Sequence, residues 1–503
     1  MWGSLRRAPL SDSYAAAVAI VLLALCPFIV LSPAVNIFQQ PVMRDLGASR
    51  FGFELASALA SAGYALGAVV SADLIQRASV RRLYLLCEAV FVLGSVLALV
   101  APGIELFTAG RVLQGLATGM LLVVALPPLV TSHGVERLPT TAAVVSLGLF
   151  GMVTLGPIIG GVAAAGNRWR LVFAALAVLG VAALVLGLLG LEDSEPGGRS
   201  FDWTALPLAV AATALPFFGV SWLARGTTWT SPGFLVPTIA GLAALVLLIV
   251  VQYHRDDPLM PMRPIAHTLP VTGIAGAMVA GAAVTALVGL AELYLTKVGH
   301  ETPLATGALV TSQVAGTVLA AWLFRRLLPT RWLPVLALAG LVSAAAGSAT
   351  LLLLSPGSTH AVVPAAALLL GFGAGAGVTP ALFMVGLSVP SSRLGPTFAL
   401  VELLRSNAAF LLAPVLLQLA ATHGGLPGGV RLGVLVCLAA SVAAIAAVIG
   451  TYLLGGARLQ EPDLPAWLER DAPAFDSPPL AAELRDTDAS DGARRGQSAA
   501  SGG

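Results

Sequence analysis

The sequence predicts an all-α integral membrane protein of about fourteen transmembrane helices. Composition is the first reason: 57% of the 503 residues are hydrophobic and 10% charged, whereas a soluble domain needs a far more even mixture to cover its surface. Spacing is the second. A helix crossing a hydrocarbon core of about 30 Å needs about 20 mostly apolar residues, and runs of that length recur here between short polar breaks. The third is the loops, whose basic residues alternate in density along the chain.

The first run follows Arg6 and Arg7 and resembles the start of a signal peptide. It is too long, lacks a small-residue cleavage site and leads straight into further spans, so an uncleaved first helix is expected. A first block of six helices is placed at 13–36, 53–72, 83–101, 104–126, 140–165 and 170–191. After a charged break come two less marked spans, 203–222 and 234–253, and a polar, Pro-rich connection, which together read as an inserted pair. A second block follows at 269–295, 304–324, 332–354, 362–385, 395–420 and 432–454. The remainder is rich in Pro, Asp, Ser, Gly and Arg and too poor in apolar residues to build a core, so it is expected to be disordered. The chain thus divides into an N-terminus (1–12), a six-helix bundle (13–191), the insertion (192–268), a second bundle (269–454) and a tail (455–503).

With the N-terminus inside, thirteen Arg residues fall on inner loops (for example Arg77, Arg81, Arg137, Arg325 and Arg393) and seven Arg or Lys on outer ones (Arg44, Arg168 and Lys297 among them). The positive-inside rule therefore puts both termini in the cytoplasm, which an even helix count requires. Each block also has a basic connection between its second and third helices, around Arg77, Arg81 and Arg82 and again around Arg325, Arg326 and Arg331. Two six-helix halves repeated in parallel are a transporter plan in which substrate binds between the halves. The net charge of +2 suggests no nucleic-acid partner. Cys26, Cys87 and Cys437 lie far apart in apolar runs, and the six histidines lack metal-ligand spacing, so neither a metal nor a cofactor is expected. No phosphate-binding Gly-rich loop is present, and the chain does not read as an enzyme. The Ala, Gly, Val and Arg excess, with Lys297 the sole lysine, points to a bacterial source.

Ionisable groups inside spans are costly and are functional candidates. Arg111 lies about two turns inside the fourth helix, where spacings of four put Arg111, Gly115 and Gly119 on one face with Gln114 at its edge. The alternative is an Arg snorkelling to the interface from a helix packed through its glycines. The fifth helix carries Gly148, Gly151, Gly156-Pro157 and Gly160-Gly161; Pro157 removes one backbone hydrogen bond, so a bent, closely packed hinge is expected. Small-residue packing alone also explains these glycines.

Arg111-x-x-Gln114-Gly115, then Gly156-Pro157-x-x-Gly160-Gly161 and Arg168-Trp169-Arg170, resemble the motif series of the drug:proton antiporters of the major facilitator superfamily. Asp257-Pro258-Leu259-Met260-Pro261-Met262-Arg263 resembles the connection after the extra helix pair of the fourteen-helix branch. Leu293-Tyr294-Leu295-Thr296 resembles the close of that branch's ninth helix, and Val389-Pro390 through Arg393-x-Gly395 to Arg405 the start of its thirteenth. The resemblance spans roughly 14–454. It implies a major-facilitator-type fold of two six-helix bundles plus the inserted pair, with a cavity lined by helices one, four, nine and twelve.

Two departures stand out. The family's loop between helices two and three usually reads Gly-x-Leu-Ala-Asp-Arg-x-Gly-Arg-Arg; here its Asp is Gln76 and both glycines are lost. In the family that Asp helps to lock the cytoplasmic side, so the gate loop of Asp73, Gln76, Arg77, Arg81 and Arg82 has either a shifted equilibrium or Asp73 as its acid. The branch's membrane-embedded Asp of helix one is replaced by Leu31. If protons drive the carrier, another acid must serve. Glu402 is the leading candidate: three residues from Arg405, it can form a same-face ion pair, whose alternative reading is a static pair that neutralises two buried charges. Glu292 and Glu88 are further proton-coupling candidates.

The function expected is export of small amphipathic or hydrophobic molecules in exchange for protons, by a monomer in the cell membrane. The alternatives are a dedicated exporter or facilitator of an endogenous metabolite, lipid or siderophore with weak or no proton coupling, and a non-transporting scaffold or sensor.

Overall fold

A computed structural model describes residues 8–193, 205–255 and 258–480. Arg6 and Arg7, the expected start of helix seven at Trp203, Asp257 and the last part of the tail lie outside the described residues. Among the described residues the chain is helical, with no β-strand. Fourteen helices are long and apolar enough to cross a membrane: helices one to six are Tyr14–Ile37, Arg50–Leu74, Val80–Val100, Ile104–Thr131, Val135–Ala165 and Trp169–Gly190. Helices seven and eight are Ala205–Arg225 and Pro232–His254, and helices nine to fourteen are Thr268–Lys297, Pro303–Leu327, Leu333–Leu351, Thr359–Leu387, Ser391–Thr422 and Gly425–Leu454. Local chemistry sets several starts. Ser13, Ser49 and Ser79 cap helices one, two and three, each hydroxyl accepting from a backbone N–H three residues on, at 3.3, 3.1 and 3.3 Å.

The helices form two six-helix bundles and an inserted pair. Helix one starts and helix fourteen ends on the same side of the bundle, here called the terminal face; the other is the far face. The halves meet at both. Toward the far face helix five packs on helix ten, and in the middle helix two packs on helix thirteen. Helix seven lies over that second seam, against helices two and thirteen. Helix eight lies outside it and leaves Val236, Ile239 and Val246 about 60% exposed, as a lipid-facing helix should.

Helix five departs from expectation in detail. The break falls before the proline: an α-helical segment Leu138–Ser146 passes into a π-helical turn Leu147–Gly151, and Gly156–Ala165 restarts the helix. Pro157 stands in the first turn of that restart, where its missing N–H would have had no partner. Cys26 of helix one donates to the carbonyl of Gly148 at 3.3 Å, satisfying one oxygen that the wide turn leaves over.

The described part of the tail, up to residue 480, also departs from expectation. It folds back after helix fourteen, and Leu464–Glu469 form a short helix. Leu464, Trp467, Ala474 and Phe475 are buried, so a few well-spaced apolar residues suffice where a ready-made surface receives them. Composition averaged over the whole tail concealed them.

Candidate functional site

The polar interior begins on helix four. Arg111 is 2% exposed and donates from Nη1 to Gln114 Oε1 at 3.0 Å; Gln114 Nε2 donates to Ser95 Oγ on helix three at 2.8 Å. Ser95 in turn donates to the Phe91 carbonyl at 2.9 Å. Among the described residues no acid pairs with Arg111. Its guanidinium instead lies 5.3 Å from the ring centroid of Phe28 on helix one, a cation–π contact of roughly 0.5–2 kcal/mol. A buried cation held by one amide and an aromatic face is a group that an anionic or hydrogen-bonding partner can still engage. Arg111→Ala is expected to lower solute transport by about tenfold or more, equal to ~1.4 kcal/mol, with normal membrane insertion. Initial rates normalised to inserted protein measure this; an insertion defect alone assigns Arg111 to packing.

The glycines of the same helix have a different task. A Cβ at Gly115 or Gly119 would collide with the carbonyl oxygens of Ala60 or Tyr64 on helix two, so the two backbones are in contact. Gly115 and Gly119 set the distance between helices, while Arg111 and Gln114 carry the polar chain.

Tyr64 joins the two halves. It stacks on Phe28 with ring centroids 5.7 Å apart and 13° between planes, and it lies against Glu402 and Arg405 of helix thirteen. Arg405 Nε donates to Glu402 Oε2 at 3.0 Å, and its Nη2 pairs with Oε1. Ser406 Oγ donates to Glu402 Oε1 at 3.0 Å. The side chain of Glu402 is 5% exposed and that of Arg405 16%. Across Arg405 lies Gly281 of helix nine. The residues therefore run from Arg111 through Phe28 and Tyr64 to the Glu402–Arg405 pair, crossing the seam between the bundles. Sequence reasoning weighed charged groups, Gln114 and the glycine motifs and passed over Phe28 and Tyr64; a lone tyrosine between Gly63 and Gly67 in mid-span was the available signal.

The other acids stand apart. Glu292 is buried on helix nine with Oε1 unpartnered, eleven residues beyond Gly281 and so ~16 Å further along the helix axis. Glu88 of helix three is fully buried, and neither oxygen has a hydrogen-bond partner. At the end of helix two, Asp73 pairs with Arg77 at 2.7 Å, and Gln76 Nε2 donates to the Ala72 carbonyl at 2.8 Å. Arg81 and Arg82 approach Asp193, beyond helix six, at 3.5 and 4.0 Å. Ser79 Oγ donates to the same carboxylate at 3.1 Å.

The glycines of helix five sit at two interfaces. A Cβ on Gly156 or Gly160 would meet Val30, Pro33 or Ala34 of helix one, whereas one on Gly161 would come within 2.7 Å of the Pro303 carbonyl oxygen of helix ten. Gly307 of helix ten reciprocates, 2.6 Å from the Pro157 oxygen by the same construction.

A family profile for the Major Facilitator Superfamily matches residues 17–414. The chain belongs to this superfamily. Its fourteen apolar helices make it a multi-pass membrane protein of that superfamily. This superfamily member is 29% identical over 327 residues to a Multidrug resistance protein B homolog of Mycobacterium tuberculosis, the match covering 63% of this chain and 59% of that protein. It is 26% identical over 355 residues to the Drug efflux pump JefA of the same organism, covering 69% of each. The chain thus spans about three fifths of the length of the first of these relatives. Among solved structures, a POT family transporter in complex with 5-aminolevulinic acid superposes with a TM-score of 0.64 at 12% identity, over 88% of this chain and 96% of that one. The human organic anion transporter MFSD10 does so with a TM-score of 0.60 at 14% identity, over 89% and 100%. Both likenesses concern the fold.

Proposed function

We propose that the protein exports small amphipathic or hydrophobic molecules in exchange for protons, by alternating access, and that the Glu402–Arg405 pair is where proton and substrate compete. The supporting observation is a buried carboxylate–guanidinium pair on one half, set against Tyr64 of the other. Protonation of Glu402 removes the charge that holds Arg405. The guanidinium is then available to Tyr64 or to a substrate's polar group, and the contact between helices two and thirteen changes. Arg111 and Phe28 supply a cation and an aromatic face on the first half. So few polar groups among apolar helices favour solutes with large hydrophobic bodies. The names of the relatives, a multidrug resistance protein and a drug efflux pump, agree with that class. The cell membrane is the site of action, with the terminal face in the cytoplasm by the distribution of arginines, and a monomer contains every residue of the polar chain.

The test is reconstitution in liposomes with an imposed pH gradient. Lipophilic cations and neutral amphiphiles are expected to move against the proton flow, and the flux should vanish when the gradient is collapsed. Folded, inserted protein that moves none of a broad panel in a gradient-dependent way would sink the proposal.

A second reading, a dedicated exporter of an endogenous metabolite, lipid or siderophore without proton coupling, is favoured by Leu31. This residue is fully buried in helix one where the branch carries an acid. Gradient-independent exchange of one metabolite would decide for it.

A further inference from the structure

We infer that residues 458–480 form a latch across the seam between the two halves at the terminal face, restraining the opening of that face. The inference rests on the alternating-access reading.

Three attachments hold the segment to the second half. Trp467 is 1% exposed and its Nε1 donates to the Val389 carbonyl, between helices twelve and thirteen, at 2.9 Å. Ala474 N–H donates to the Leu387 carbonyl at 2.7 Å, at the end of helix twelve. Asp471 accepts from the Ser392 N–H at 2.8 Å and from the hydroxyls of Ser391 and Ser392 at 3.0 and 2.7 Å, at the start of helix thirteen. Asp471 is held in the left-handed region, φ 53°, a conformation in which Asp is better tolerated than most residues and which aims its carboxylate at this turn. Partial burial works to raise its pKa, but the N–H and hydroxyl donors and nearby Arg393 prevail and hold the carboxyl below the usual Asp value. A depressed value means that the contact's contribution is present above the ordinary Asp range and lost as pH falls through the lowered one, so it is intact at neutral pH.

Further along, the segment caps helix nine, whose first N–H groups find no side-chain cap of their own. Thr268 N–H donates to the Pro478 carbonyl at 3.0 Å and Leu269 N–H to Ser477 Oγ at 2.9 Å. On the other side of the seam, the helix Leu464–Glu469 packs against Val135–Arg137, the first turn of helix five in the first half. Leu464, Trp467 and Phe475 share one hydrophobic cluster with Leu129, Val130 and Leu138 of that half. The segment thus touches both bodies where they must part for this face to open, and parting them exposes its buried side chains. It adds a restraint to the closed arrangement that the open one lacks, which is what shifts a two-state equilibrium.

The experiment uses the full chain in nanodiscs with spin labels at Glu136→Cys and Arg331→Cys, both exposed and on opposite halves at this face. Cys26, Cys87 and Cys437 are buried and are replaced by Ala. In the parent, double electron–electron resonance is expected to give one short distance. Trp467→Ala and, separately, the exposed-site variant Asp471→Ala should raise a longer, open population by at least about tenfold. Unchanged distance distributions in both variants, with thermal unfolding of Asp471→Ala as in the parent, overturn the latch. Neither substrate nor a pH gradient is present, so failure of proton antiport leaves this readout unaffected, and unchanged distances leave the antiport reading standing.

Discussion

Glu402→Gln is expected to lower pH-gradient-driven export by about a hundredfold while gradient-independent exchange of the same substrate persists. The amide keeps the size of the carboxylate and an oxygen for Ser406, which donates to Glu402 at 3.0 Å. It cannot take up and release the proton. It also leaves Arg405 buried without its counter-charge, and breaking one side of a buried pair costs on the order of 3–5 kcal/mol. A loss of function could then come from instability alone. The double variant Glu402→Gln/Arg405→Gln separates the two effects, because removing both charges is close to neutral for folding. It should recover the parent's thermal stability and remain uncoupled. Flux in Glu402→Gln that follows the pH gradient as the parent does would remove Glu402 from the coupling mechanism and leave the pair a static neutralisation. Initial rates with and without an imposed gradient provide the comparison.

The second large effect is expected at the far face. Gly161 and Gly307 let helices five and ten touch backbone to backbone, with a Cβ on either coming within 2.7 Å of a carbonyl oxygen. Gly161→Leu should wedge the far face open and reduce transport by about a hundredfold, a shift of ~2.7 kcal/mol in the balance between states. Thr306 of helix ten is fully buried beside this contact, so Thr306→Cys should become reactive to a membrane-impermeant maleimide in the wedged protein. Gly428, at the same face with open space around it, serves as control, and Gly428→Leu should transport normally. Parent-like transport by Gly161→Leu would mean that the far face need not close tightly for turnover.

Much of the fold was legible because the bilayer acts on each segment separately. Whether a stretch spans depends on its own length and hydropathy, and the fourteen observed helices coincide with the fourteen expected. The Glu402–Arg405 pair was legible for a similar reason, since three residues along a helix put two side chains on one face. The break in helix five was placed at Pro157 on general grounds. The structure moves it to Leu147–Gly151, because a proline in the first turn of a restarted helix disturbs nothing. The resemblance pointed to helices one, four, nine and twelve, and it gave no sign that Tyr64 of helix two lies against Glu402 and Arg405 of helix thirteen. Apolar helices rich in Ala, Val and Gly present nearly identical surfaces, and sequence carries little information about which of them meet.

The sequence by itself determined the fourteen helices long and apolar enough to cross a membrane among the described residues, that arginines cluster on alternate loops, and which helices carry charge or close-packing glycine. These are properties of single segments, set by hydrophobic burial and helical period. Only the tertiary structure decided that Arg111 reaches Phe28, that Tyr64 bridges to Glu402, and that a polar-looking tail returns to cover the seam. Each of those contacts joins residues far apart in the chain. Each depends on shape complementarity between helices that hydrophobicity alone leaves interchangeable.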